Sequence, residues 1–142
     1  MPLPEDSWWR DFIDALPART AKLAQVTAAG GPRVAPIWVA LDGDDIVFTT
    51  GRDTAKGKAL RRDPRVALCL DDERPPFSYV IVHGTATTSA DLVEMKKWAT
   101  IIGGRYMGED RADEYGTRNA VPDELLVRVT PTKVIVARDV AD

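Results

Sequence analysis

Residues 49–65 have the sequence TTGRDTAKGKALRRDPR, which decides how the neighbouring chain folds. The residues that lead into it, Asp45–Thr50, are rich in β-branched and aromatic side chains, which favour a strand. Gly51 then interrupts the strand, and Thr54–Arg62 has the composition of a short helix that Pro64 ends. The segment therefore predicts a strand, a sharp turn and a helix in direct succession.

The start of this helix has the features of an anion-binding site. Residues 52–65 contain six basic and two acidic side chains, whereas the whole chain has a net charge of −3, so the remaining residues carry −7. The free N–H groups of a first helical turn attract phosphate, and Lys56 lies in that turn. Thr49 and Thr50 add two hydroxyls at the end of the strand. The alternative is an ordinary solvated helix with a capping threonine.

Outward from this segment, short apolar runs with strand-type alternation recur along the chain. They lie at Lys22–Val26, Arg33–Leu41, Asp45–Thr50, Val66–Leu70, Phe77–Thr87, Leu125–Val129 and Val134–Ala137. The first three predict an antiparallel meander, and Gly84 is a candidate β-bulge within the fifth. Short connections between antiparallel neighbours favour a closed barrel over a doubly wound parallel sheet.

Helical patterns flank these strands and complete a mainly β (α+β) domain. Ser7–Ala15 predicts a helix capped by Ser7, which places an N-terminal helix within residues 1–16. Ser89 is the predicted cap of a longer helix that reaches Met107, and Glu109–Asn119 predicts a further helical piece. No linker long enough to divide the chain is present, so residues 1–142 are predicted to form one domain.

The composition excludes several functional classes. A net charge of −3 gives no reason to expect a nucleic-acid partner, and no segment has the roughly 20 apolar residues of a membrane span. One histidine and one cysteine are too few for a zinc site, so no metal is expected. The N-terminus has no basic and apolar regions of a signal peptide, which predicts a cytoplasmic protein.

The motif Lys-x-x-x-Leu-x-x-Asp-Pro, from Lys56 to Pro64, follows the hydroxyl pair and the turn. In this order the segment resembles the pyridoxamine 5'-phosphate oxidase-like split β-barrel superfamily. More narrowly, it is similar to the actinobacterial branch of flavin/deazaflavin oxidoreductases that binds coenzyme F420. The resemblance extends over Leu23–Val136. It implies an FMN-binding-like split β-barrel with about six to seven antiparallel strands and flanking helices.

The resemblance also implies where a cofactor would bind. Lys56, with Thr49 and Thr54, would hold the cofactor phosphate, while Pro36, Ile37 and Trp38 would lie along its ring system. The full set of implied cofactor-binding residues is Pro36, Ile37, Trp38, Thr49, Thr50, Thr54, Ala55, Lys56, Phe77, Ser78, Tyr79 and Val80. The family pattern further implies a homodimer with a cofactor site at the subunit interface.

One departure from the family pattern bears on the cofactor. The enzyme that gives the superfamily its name has an Arg-Lys pair where this chain has Ala55-Lys56, which weakens the case for FMN. The implied function is therefore an oxidoreductase that uses reduced coenzyme F420 to transfer hydride to an unsaturated small molecule. The alternatives are an FMN-dependent oxidoreductase and a non-catalytic protein that binds flavin, coenzyme F420 or haem. No catalytic side chain is assigned, because the cofactor itself supplies this chemistry.

Overall fold

The computed structural model describes residues 2–142. Its helices are α1 (Trp8–Asp14), α2 (Ala55–Arg62), α3 (Leu92–Met107) and α4 (Ala112–Asn119), with a 3-10 turn at Glu109–Arg111. Its strands are β1 (Ala21–Val26), β2 (Pro32–Ile37), β3 (Ala40–Asp42), β4 (Asp45–Gly51), β5 (Arg65–Asp71), β6 (Tyr79–Ser89) and β7 (Glu124–Ala137). None of the helices in residues 2–142 combines the length and the apolar character needed to cross a lipid bilayer.

The seven strands form one antiparallel sheet, and its two edge strands are consecutive in the sequence. The strand order is β2-β1-β5-β6-β7-β4-β3, so β2 and β3 lie at opposite edges. Only Trp38 and Val39 separate these strands in sequence. Three Cα steps span at most about 11 Å, so the edges must approach each other and the sheet curls into a barrel. The predicted split β-barrel, mainly β with flanking helices, is confirmed.

This closure corrects the prediction for the first strands. The single strand predicted at Arg33–Leu41 is wrong, because the chain leaves one sheet edge at Ile37 and joins the other at Ala40. The predicted three-stranded meander is also wrong. β1 pairs with β2 and β3 pairs with β4, but these two hairpins lie at opposite edges of the sheet.

β6 and β7 form the longest strand pair, and β7 corrects a second prediction. The segments predicted as two strands, Leu125–Val129 and Val134–Ala137, belong to one strand of 14 residues. Pro131 interrupts the sequence pattern but not the strand, because it lies opposite Gly84 where the register shifts. The bulge predicted at Gly84 is confirmed, and a Cβ there would lie 2.6 Å from the backbone oxygen of Thr130.

Two apolar clusters hold the barrel and α3 together. The larger fills the barrel and includes Trp9, Phe48 and Leu68, which are fully buried. The smaller lies between α3 and the outside of β3, β4 and β7. Alternation along β4 explains this division, since Val47 belongs to the outer cluster and Phe48 to the barrel interior.

The two predicted serine caps have different outcomes. Ser7 occupies the N-cap position of α1, where its carbonyl accepts the N–H of Asp11 at 3.0 Å. Its hydroxyl accepts no N–H of the first turn, and the carboxylate of Asp6 accepts the N–H of Trp8 at 2.7 Å instead. Ser89 is the last residue of β6, and Asp91 caps α3 by accepting two backbone N–H groups of its first turn. A charged carboxylate interacts more strongly than a hydroxyl with the positive end of the helix dipole, which accounts for both positions.

Candidate functional site

A groove of about 330 Å³ lies where β2, β4, α2, α3 and the start of β7 meet. This volume lies at the lower end of the range of small-ligand sites, roughly 300–1,000 Å³. Its lining combines apolar side chains with hydroxyl and charged side chains. The lining residues are Pro36, Ile37, Trp38, Thr49, Thr50, Gly51, Thr54, Lys56, Ala99, Ile102, Asn119 and Glu124.

The corner between β4 and α2 is unusually tight, and Gly57 makes it possible. A Cβ at Gly57 would lie 2.3 Å from the carbonyl oxygen of Gly51 and 2.6 Å from that of Arg52. The hydroxyl of Thr54 caps the helix by accepting the N–H of Gly57 at 3.2 Å. The same hydroxyl donates to the carbonyl of Gly51 at 2.7 Å. The first turn of α2 is therefore held directly against the end of β4.

This arrangement determines which groups at the corner can bind an anion. Because the Thr54 hydroxyl already donates to a backbone carbonyl, its proton is occupied. Thr50 is buried and lies 3.4 Å from the Thr54 hydroxyl. Within residues 2–142, the backbone N–H groups of Ala55 and Lys56 have no acceptor. These two N–H groups and the hydroxyl of Thr49, which lines the groove, can donate to a ligand beside the side chains of Lys56 and Asn119.

Lys56 is the cation of the groove. The ion pairs near the corner join Arg61 to Asp53 and Arg65 to Asp63. Lys56 makes no ion pair with any residue of the described chain, positions 2–142, although its half-buried side chain lines the groove. A cation that is partly withdrawn from water and has no ion-pair partner within 4.0 Å is suited to bind an anionic group.

Gln25, on β1, holds the first turn of α2 in place by a side-chain hydrogen bond. Its buried side chain donates to the carbonyl of Lys56 at 3.1 Å, and Arg33 donates to the Gln25 oxygen at 2.7 Å. This chain of hydrogen bonds connects β2 through β1 to the residue that provides the charge. No sequence signal indicates it, because a glutamine in a strand pattern has no distinctive spacing.

Replacing Gln25 with methionine is expected to lower the free energy of unfolding by about 1–2 kcal/mol. Methionine keeps the side-chain length but leaves the Lys56 carbonyl without its partner. Arg33→Met removes only the outer hydrogen bond and should have a smaller effect. Urea unfolding followed by circular dichroism measures both changes. An unaltered midpoint for Gln25→Met would show that this bond does not hold the turn.

Trp38 has the largest apolar side chain among the groove-lining residues, and two tyrosines contact its ring. The Tyr106 ring stacks on it at 5.2 Å with an interplanar angle of 4°. The Tyr115 ring contacts it edge-on at 5.6 Å. The Tyr106 hydroxyl donates to the carbonyl of Arg19 at 2.6 Å and accepts the N–H of Val39 at 3.1 Å. The indole is thus positioned before any ligand binds.

Replacing Tyr106 with phenylalanine is expected to destabilise the protein by about 1–2 kcal/mol, because the Val39 N–H and the Arg19 carbonyl lose their partner. Tyr115→Phe is the matched control, since no hydrogen bond of the Tyr115 hydroxyl occurs within residues 2–142. Urea unfolding of both variants checks this difference. Equal stabilities would contradict the bridging role of Tyr106.

The structure brings together most, but not all, of the residues predicted to bind a cofactor. The groove contains the predicted residues Pro36, Ile37, Trp38, Thr49, Thr50, Thr54 and Lys56. Ala55 does not line it with its side chain but contributes a free backbone N–H at the corner. Residues missing from the prediction are Gly51 at the end of β4, together with Ala99, Ile102, Asn119 and Glu124, which reach the groove from α3, the end of α4 and the start of β7.

The predicted segment 77–80 lies outside this groove. Phe77 is exposed in the loop before β6, in the left-handed region with φ 62°. Ser78 accepts the N–H of Asp139 at 3.0 Å, and Tyr79 lies on the outer face of the sheet. Val80 is fully buried in the barrel core. The alternation of β6 therefore directs the Val80 side chain into the barrel core, and the assignment of residues 77–80 as cofactor contacts stays a prediction.

The described residues 2–142 include no candidate metal cluster, and the single cysteine has an elevated thiol pKa. Residues 2–142 contain no group of three or more histidine, cysteine, aspartate or glutamate side chains placed to hold a metal ion. Cys69 lies on the outer face of β5, and burial raises the pKa of its thiol above the ordinary value. Its thiol is thus less easily ionised than an ordinary one.

Comparison with known proteins agrees with this architecture. Residues 9–137 match the family described as pyridoxamine 5'-phosphate oxidase. The pyridoxine/pyridoxamine 5'-phosphate oxidase of Alkalilimnicola ehrlichii is 28% identical over 125 residues, which cover 76% of this chain and 63% of that enzyme. The chain therefore spans less than two thirds of the length of this relative.

Two solved structures share the fold. A conserved hypothetical protein of Mycobacterium tuberculosis has a TM-score of 0.83 at 22% identity, covering 98% of this chain and 89% of that one. An F420 reductase has a TM-score of 0.66 at 26% identity, covering 82% of this chain and 89% of that one. With the family match over 129 positions, residues 9–137, these similarities lead to one conclusion. The chain belongs to the pyridoxamine 5'-phosphate oxidase family.

Proposed function

We propose that the groove binds the deazaflavin coenzyme F420 and that the protein transfers hydride from the reduced coenzyme to an unsaturated small molecule. One observation carries this proposal. The groove brings Lys56 and the two N–H groups without an acceptor together with apolar side chains that include Trp38. A ligand with an anionic tail and a flat ring system matches both parts.

Two observations favour coenzyme F420 over FMN. Ala55 stands where the family pattern has an arginine, so Lys56 is the one lysine or arginine among the groove-lining residues. FMN has a phosphate monoester with close to two negative charges at neutral pH, and a single cation compensates these incompletely. The second observation is the 26% identity with a protein named as an F420 reductase.

The residues of the chain have binding and positioning roles in this mechanism. Lys56 and the N–H groups at the start of α2 would hold the phosphate, and Thr49 would donate a further hydrogen bond. The side chains of Trp38 and Ile37 would exclude water from one side of the ring system. The bound reduced deazaflavin supplies the hydride. The protein then needs only to orient a substrate carbon over the ring, which brings the reactants together without an acid or nucleophile.

The proposal includes a homodimer, which the family resemblance implies. The outer face of β5 and β6 supports it, because Cys69, Ile81 and Tyr79 lie there beside one another and are only partly covered by this chain. In such a dimer, residues 77–79 of the partner subunit would complete the site that a single chain leaves open. Sedimentation equilibrium should give the mass of two chains. A single-chain mass at micromolar concentration would contradict this part of the proposal.

Titration of the purified protein with coenzyme F420, FMN and haem tests the proposed cofactor. We expect saturable binding of coenzyme F420 at micromolar concentration or below, followed by its fluorescence, and no FMN retained on purification. Oxidation of the reduced coenzyme by a panel of conjugated enones and quinones then tests the activity. A protein that purifies yellow with FMN, or that binds haem in preference to both, would overturn the proposal.

A further inference from the structure

Glu124 is a carboxylate inside the proposed phosphate groove. It is the first residue of β7 and lies opposite Gly51 in the register with β4. A Cβ at Gly51 would lie 3.7 Å from Oε1 of Glu124, so the carboxylate occupies the space beside the end of β4. Its half-buried side chain lines the same groove as Lys56. An anion that binds at Lys56 therefore meets a negative side chain as well as a positive one.

The carboxylate of Glu124 has no structural task that would explain its position. Within residues 2–142 it accepts no hydrogen bond and makes no ion pair within 4.0 Å, including with Lys56. The turn before β7 is anchored by the backbone instead, where the carbonyl of Asp123 accepts the N–H of Arg52 at 2.7 Å. A half-buried carboxylate without a partner is unfavourable for stability, so its presence in an anion site calls for a role toward the ligand.

The charges around Glu124 come from two helices. Lys56 faces it from α2 and Arg118 from α4, and both favour its ionised form. Burial has the opposite and larger effect and raises the pKa of Glu124 above the ordinary value. A second negative charge brought to the groove would raise this pKa further. Binding of a highly charged anion must then overcome repulsion or be accompanied by proton uptake.

We propose that Glu124 sets the charge selectivity of the groove, so that the Lys56 corner accepts a singly charged phosphodiester and discriminates against a doubly charged phosphate monoester. This inference rests on the proposed function, in which Lys56 holds the phosphate. A monoester has a second pKa near 6 and is therefore largely a dianion at pH 7.5. A phosphodiester has one charge at the same pH, which Lys56 alone can compensate.

Two flavins with the same ring system but different phosphate charge test the inference. FMN has a monoester, and riboflavin 4′,5′-cyclic phosphate has a diester. In Glu124→Gln, which keeps the side-chain shape, FMN should bind about tenfold more tightly at pH 7.5, whereas affinity for the cyclic phosphate should change less than about threefold. Glu124→Ala should change the affinities for FMN and for the cyclic phosphate in the same way as Glu124→Gln does. Asp123→Asn, at the exposed neighbouring position, should change neither affinity. Flavin fluorescence quenching measures all of these affinities.

The outcomes separate this inference from the function on which it rests. Equal or undetectable FMN binding in the wild-type protein and in both Glu124 variants would overturn the inference. An equal gain in affinity for the two flavins would also overturn it, because charge selectivity requires a change in the ratio of the two affinities. If Lys56→Ala weakens the binding of both flavins while the Glu124 variants leave the ratio of the two affinities unchanged, only the proposed role of Glu124 is wrong. If Lys56→Ala weakens neither, the phosphate site and the inference fail together.

Discussion

Replacing Lys56 with alanine is expected to weaken the binding of coenzyme F420 about 5- to 150-fold, which corresponds to about 1–3 kcal/mol. The reason is that Lys56 is the groove's cation and has no ion pair with any of residues 2–142 that would compete for its charge. Folding stability should change little for the same reason. Fluorescence titration of the coenzyme measures the affinity, and thermal unfolding measures the stability.

Lys58→Ala provides the matched control for this variant. Lys58 lies on the same helix and has the same charge, but it is exposed and does not line the groove. We expect its replacement to change affinity less than about twofold at 0.15 M salt, because an exposed charge at that distance is largely screened. Equal losses for the two variants would mean that general electrostatic attraction, rather than a specific contact with Lys56, explains binding.

Replacing Gly57 with alanine is expected to destabilise the protein by about 3 kcal/mol and to lower its Tm by roughly 10 °C. The new Cβ would lie 2.3 Å from the carbonyl oxygen of Gly51 and 2.6 Å from that of Arg52. Both contacts are with backbone atoms, so no side chain can rotate to relieve them. The first turn of α2 would have to move away from β4, and coenzyme binding should be lost together with stability.

Gly31→Ala is the glycine control for this prediction. The same addition at Gly31 meets only the Thr27 hydroxyl at 3.5 Å, an ordinary van der Waals distance. Its Tm should therefore remain within a few degrees of the wild-type value. Differential scanning calorimetry compares the two variants directly. A Gly57→Ala protein as stable as Gly31→Ala would show that α2 is not held against β4 as described.

Much of the fold follows from local sequence patterns, because strands and helices of this size are set by alternation and by Gly and Pro. The segment at residues 49–65 folds as a strand, a tight turn and a helix ended by Pro64, as the pattern predicts. The sequence does not indicate the break between β2 and β3, because the apolar run continues through Trp38 and Val39. That break is imposed by barrel closure, which depends on strand order and leaves no trace in the local pattern.

The residues of the candidate site also divide into those that the sequence predicts and those that it does not. Lys56 and the hydroxyls of β4 could be predicted because they lie in one short segment with a recognisable order. Gln25 and Glu124 could not be predicted, because both reach the corner from strands that are distant in sequence. Gln25 hydrogen-bonds the first turn of α2 from β1, and Glu124 lies in β7, which pairs with β4. The resemblance implies Val80 as a cofactor contact, but its position in β6 places the side chain in the core. Segment matching identifies a site more reliably than it identifies the side chains that face it.

Backbone amide spectra of the ¹⁵N-labelled protein during titration with coenzyme F420 show directly whether the β4–α2 corner binds the cofactor. We expect saturable shifts of the N–H signals of Ala55 and Lys56, since these groups have no acceptor among residues 2–142 and would hydrogen-bond the phosphate. The Trp38 indole signal should shift in the same titration. Saturation with these signals unmoved, and with shifts confined to another face of the barrel, would contradict the claim that the β4–α2 corner holds the cofactor.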